Sequence, residues 1–106
     1  MLEIDRLDAM LKEARIPFKR IDKDLRPEHD YWKYHIYYPK RPKVGCGSYQ
    51  MVCSVIQGTC TYGGNENLLE IMGLLTPEEA ECDSVRGYLT AENVFERIKK
   101  HWEANK

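Results

Sequence analysis

Residues 31–38 read Tyr-Trp-Lys-Tyr-His-Ile-Tyr-Tyr, and Pro39 closes them. Aromatic and β-branched side chains at this density lose rotamer freedom in a helix and suit a pleated, half-buried surface. The segment is therefore expected to be a strand, and the chain around it must supply a sheet. Alternation splits it into two faces. Trp32, Tyr34, Ile36 and Tyr38 read as the core face, and Tyr31, Lys33, His35 and Tyr37 as the wetter one.

The flanking pattern supplies the rest of the fold. Ile4, Leu7, Leu11 and Ala14 share one helical stripe, with Met10 beside it, which predicts an N-terminal amphipathic helix stopped by Pro17. Residues 18–22 alternate as a short strand. Residues 24–30 and 40–48 read as loops, the second carrying Pro42, Gly45 and Gly47. Residues 49–56 read as a central strand, apolar on both faces. Tyr62-Gly63-Gly64-Asn65 is a turn, and residues 67–75 are expected to form a helix rich in Leu, Ile and Met. Thr76-Pro77-Glu78-Glu79 is a capping-box helix start. Residues 85–89 suggest an edge strand or an extended connection. Thr90 caps a last helix that presents Val94, Phe95, Ile98 and Trp102 at helical spacing. The expected fold is α+β: a small antiparallel sheet of three or four strands, an N-terminal helix and C-terminal helices packed on it. Residues 1–106 are expected to form a single domain.

Composition narrows the function classes. The longest apolar stretch falls far short of the about 20 residues that a spanning helix needs, and the start of the chain does not read as a signal peptide. A cytoplasmic location and no membrane partner are therefore expected. The net charge of −1 hides an asymmetry: residues 12–43 hold ten Lys and Arg against five Asp and Glu, and residues 44–106 hold five against nine. That bias is too weak for a general nucleic-acid coat, and suits a small anionic ligand or a mixed-charge protein surface.

Four cysteines, at 46, 53, 60 and 82, are expected to be reduced thiols. They form no Cys-x-x-Cys pair and no helical His-x-x-x-His accompanies them, so neither a metal nor any other cofactor is expected. Cys53 reads as a small core residue. A Cys-dependent enzyme remains an alternative if Cys46, Cys53 or Cys60 meets His35 or His29. Asp22, Asp24, Glu28 and Asp30 lack the ligand order of a calcium loop and read as solvated.

Two features point to binding. Residues 31–43 hold five of the chain's eleven Phe, Trp and Tyr residues and four of its sixteen Lys and Arg residues. Tyr31, His35 and Tyr37 could stack on planar groups while Lys33, Lys40, Arg41 and Lys43 meet phosphates, or the same side chains could anchor a protein interface. The second feature is Tyr62-Gly63-Gly64: a glycine turn that opens a helix exposes N–H groups to an anion. The apolar 67–75 segment, as a helix, would also make a homodimer plausible.

Residues 68–79 (Leu-Leu-Glu-Ile-Met-Gly-Leu-Leu-Thr-Pro-Glu-Glu) and 87–102 (Gly-Tyr-Leu-Thr-Ala-Glu-Asn-Val-Phe-Glu-Arg-Ile-Lys-Lys-His-Trp), and more weakly Cys-Ser-Val-Ile-Gln at 53–57, resemble small accessory proteins of prophages and mobile elements in gut Gram-positive bacteria. The resemblance implies a setting and no catalytic residue. Such proteins act by binding, in an anti-CRISPR-like manner on host-defence effectors or as sponges for nucleotide signals. The expectation is therefore a non-enzymatic inhibitor of a host nucleic-acid-handling defence effector. The alternatives are a binder of a small nucleotide or single-stranded nucleic acid, and the Cys-dependent enzyme.

Overall fold

A computed structural model describes residues 2–22, 34–40, 52–58 and 61–105. The chain is α+β. Its order is α1 (Glu3–Glu13), β1 (Lys19–Asp22), β2 (Tyr34–Tyr38), β3 (Cys53–Gln57), a 3₁₀ turn (Gly64–Glu66), β4 (Leu69–Met72), α2 (Pro77–Cys82), β5 (Val85–Leu89) and α3 (Ala91–Ala104). The strands form one antiparallel meander, β1-β2-β3-β4-β5, five strands where three or four were expected. Val85–Leu89 is an edge strand. Among the described residues no helix is long and apolar enough to cross a membrane.

Both long helices cover one side of the sheet. Ile4, Leu7 and Leu11 of α1 and Val94 and Ile98 of α3 are fully buried, and they share a core with Ile36, Tyr38, Cys53, Val55, Leu69 and Ile71. The helical stripe read from sequence is correct except for Ala14, which is exposed as the C-cap of α1. The Thr76 capping box is present as expected: Thr76 Oγ1 accepts from the Glu79 N–H, and the Glu79 carboxylate accepts from the Thr76 N–H.

The first turn of α1 has no side-chain cap from Leu2. Its N–H groups are met by the sheet instead. Gln57 Oε1 accepts from the Ile4 N–H at 3.1 Å, Asn67 Oδ1 accepts from the Glu3 N–H at 3.0 Å, and Gln57 Nε2 donates to Asn67 Oδ1 at 2.7 Å. Glu3 in turn accepts from the Ala91 N–H at 3.1 Å, so the starts of both long helices are fixed at one end of the sheet. Satisfying these otherwise orphaned donors sets the helix positions as firmly as the apolar contacts do.

Arg20 ties β1 to α1. Its guanidinium meets Asp5 at 2.8 Å, Asp8 at 3.0 Å and Asp22 at 2.8 Å. Asp22, one of the four acidic loop residues, is thus an ion-pair partner; Asp24, Glu28 and Asp30 lie outside the described residues. Burial alone would raise the Asp8 carboxyl, but bonds from Lys12 and Arg20 outweigh it and hold the group below its ordinary value.

The expected helix at 67–75 is a strand. Asn67 (φ 58°), Gly73 (φ 96°) and Leu74 (φ 55°) adopt left-handed backbone and bracket β4, so no helix can run through either end. Between them Leu69 and Ile71 enter the core, while Glu70 is half-buried and Met72 exposed. With no helix there, the premise of a dimer through a 67–75 helix is lost.

A second clasp joins α2 to α3. Glu79 receives Arg97 in two parallel bonds of 2.7 and 2.9 Å, and Arg86 approaches at 3.4 Å. The Arg97 bonds hold the Glu79 carboxyl down to about 2 from its ordinary 4.5. A depressed carboxyl stabilises the fold fully above its unfolded value and loses that contribution as pH falls through the folded one. Discounted for solvent screening, this makes Glu79→Gln less stable than the parent by roughly 0.5–1.5 kcal/mol at pH 7. In urea titrations the gap should close between about pH 4.5 and pH 2; a gap independent of pH would contradict the clasp.

Candidate binding face

Strand register defines what lies on the side away from the helices. Paired residues point to the same side of a sheet. Because Ile36 and Tyr38 face the helices, Tyr37 faces the other way. The pairs Lys19↔Tyr37, Tyr37↔Ser54, Ser54↔Met72 and Met72↔Val85 then make one row that crosses all five strands. A second row runs Ile21, His35, Ile56, Glu70. Along the first row Lys19 is exposed, Tyr37 half-buried and Met72 48% exposed.

Two exposed rings lie beside the β4–β5 pair. Tyr62 and Tyr88 are 56% and 58% exposed. Tyr62 sits against Gly87, where an added Cβ would lie 2.2 Å from the Tyr62 Cβ, and the Tyr62 carbonyl accepts from the Tyr88 N–H at 3.2 Å. The Tyr62 N–H reaches Glu70 Oε1 at 2.8 Å.

Tyr37, Lys40, Tyr62 and Gly64 are the expected site residues that the structure leaves exposed or half-buried. His35 is only 8% exposed. Its ring stacks on Tyr37 at 3.8 Å and 19°, and Nε2 lies 2.5 Å from Ser54 Oγ. A serine hydroxyl bonded to an imidazole is the arrangement of an activated nucleophile. Here Ser54 is 5% exposed, so a substrate carbonyl has no path to its oxygen, and the pair acts as a cross-strand link. Tyr31, Lys33, Arg41 and Lys43 lie outside the described residues.

Gly63 and Gly64 do not open a helix. Gly63 caps and Gly64 begins a 3₁₀ turn of three residues, and the N–H groups of Gly64, Glu66, Asn67 and Leu68 are donated to the carbonyls of Thr61, Gly63 and Gly64. A Cβ at Gly64 would fall 1.6 Å from the Gly58 carbonyl oxygen, so this glycine serves close backbone packing.

The cysteine alternative fares poorly where it is described. Cys53 is 1% exposed, and burial pushes its thiol up to about 12, far from the thiolate a nucleophile needs. Cys53 also faces the helices while His35 faces away, so the sheet separates them. Cys46, Cys60 and His29 lie outside the described residues, and Cys82 is exposed on α2. Among the described residues no group of three or more His, Cys, Asp or Glu is placed to hold a metal ion.

Sequence reading missed Lys19, Ser54, Met72 and Tyr88. The alternation of residues 18–22 carried a signal for Lys19; for Met72 the signal was hidden by the helix expected there. No protein-family model, no curated protein and no solved structure matches the chain.

Proposed function

We propose that the chain is a non-enzymatic binding protein that docks on another protein through Lys19, Tyr37 and Met72, on the side of the sheet away from α1 and α3, and through the rings of Tyr62 and Tyr88. The observation that carries this reading is the exposure of three large apolar side chains at one border of the sheet: Tyr62, Met72 and Tyr88, at 48–58%. Exposed aromatic and methionine side chains with charged neighbours have the composition of interface anchors, and clustered apolar exposure is what a monomeric surface ordinarily avoids. Lys19, Lys40 and Glu70 supply a mixed-charge rim.

The setting implied by the resemblance makes a host nucleic-acid-handling defence effector the first class of partner to test, with inhibition as the effect. Nucleotide binding is the weaker reading, since the N–H groups of Gly64, Glu66, Asn67 and Leu68 are spent internally and the His35 ring is already stacked. The test is co-purification from the native host with the parent chain and with Tyr37→Ser/Met72→Lys. Both changes lie outside the helix-covered core, so the variant is expected to fold and to lose the partner. A folded variant that retains it at parental yield would overturn the reading.

A further inference from the structure

On the other side of the molecule, a groove of about 430 Å³ opens between the last turns of α3 and the segment that joins β4 to α2. Leu74, Leu75 and Ala104 give it apolar walls, and Arg97, Lys100 and His101 bring three basic side chains to it. No carboxylate occurs among the described residues that line it. Pockets of this size with few convergent polar groups are the usual form of small-molecule sites.

The three basic residues are not equivalent. Arg97 is committed: its guanidinium is neutralised by Glu79 and also donates to the Leu74 carbonyl at 3.0 Å. Lys100 is exposed and forms no ion pair among the described residues. His101 is half-buried, with Nδ1 2.8 Å from the Tyr38 hydroxyl. Tyr38 is 1% exposed, and burial raises its hydroxyl above the ordinary value. The phenol therefore keeps its proton, and it shares one hydrogen bond with the His101 ring.

We infer that this groove binds a small monocarboxylate with an apolar body, the carboxylate taken by the Lys100 ammonium and the body by Leu74, Leu75 and Ala104. One uncommitted ammonium balances one negative charge. The carbonyl end of α3 works against any anion and the Lys100 charge must outweigh it, which weighs most heavily against a phosphate dianion. The site is separate from Tyr37, Met72 and the exposed tyrosines and does not depend on them.

The experiment is a titration of the ¹⁵N-labelled chain with octanoate, octylamine and octanol, each below the concentration at which it aggregates, read by backbone amide shifts. Octanoate is expected to give saturable shifts at residues 74–76 and 97–105, and Lys100→Glu, a surface change checked for folding by the same spectrum, to weaken its binding about tenfold or more. Octylamine is expected to give none. Absence of saturable octanoate shifts at these residues, octanol binding as tightly as octanoate, or unchanged affinity in Lys100→Glu would each overturn the assignment.

Discussion

A Gly73→Ala chain is expected to lose about 3–5 kcal/mol of stability, a large share of the about 5–15 kcal/mol that keeps an ordinary domain folded. Two costs act at once. At φ 96° an L side chain is strained, and its Cβ would lie 2.2 Å from the Val52 carbonyl oxygen and 3.2 Å from the Cys53 Cα. Val52 cannot simply retreat, because its N–H donates to the Tyr38 carbonyl at 2.8 Å and so extends the β2–β3 pairing. Gly63, at φ 91° but with nearest contacts of 3.0 Å, provides an internal comparison and should lose less when changed to alanine. Equilibrium urea unfolding of both variants checks the ordering. A loss at Gly73 below about 1 kcal/mol would mean that the β4–α2 turn does not pass so close to β3.

Truncating neighbours on β4 should have sharply unequal effects. Ile71 is 1% exposed and pairs with Val55 at the centre of the sheet, so Ile71→Ala is expected to lose about 2–5 kcal/mol through lost burial and the cavity left behind. Met72, 48% exposed on the opposite face, should lose less than about 1 kcal/mol when changed to alanine. A period of two is the mark of a strand. On a deeply packed helix adjacent residues lie about 100° apart, and Ile71 and Met72 would share burial more evenly. Comparable losses in denaturant unfolding would therefore count against the strand and with it the row that contains Met72.

What was legible followed from local signals. The aromatic run at 31–38, the Ile4-Leu7-Leu11 stripe, the capping box at Thr76 and the Val94–Ile98 spacing each carry their own period or cap, and each appears where expected within the described residues. The 67–75 segment misled because Leu, Met and Glu are strong helix formers, while its contrary signals are single residues. Asn67 and Gly73 are the residue types that accept left-handed backbone, and they stand at the two ends of β4. Sheet pairing then overrode propensity.

The candidate face was half legible. Alternation alone placed Tyr37 away from the core. That His35 would be sealed against Ser54, and that Lys19 and Met72 would join Tyr37, depends on register between strands distant in sequence, which no local pattern encodes. The glycine turn was read as an anion cradle because spacing cannot show where its N–H groups point.

Oxidative footprinting of the chain, free and bound to the partner it recovers from its host, tests the proposed contact most directly. Protection of Met72, Tyr62, Tyr88 and Tyr37, with the outer faces of α1 and α3 labelled as in the free chain, is the predicted result. Unchanged labelling of Met72 and both exposed tyrosines, with protection confined to the helices, would contradict it.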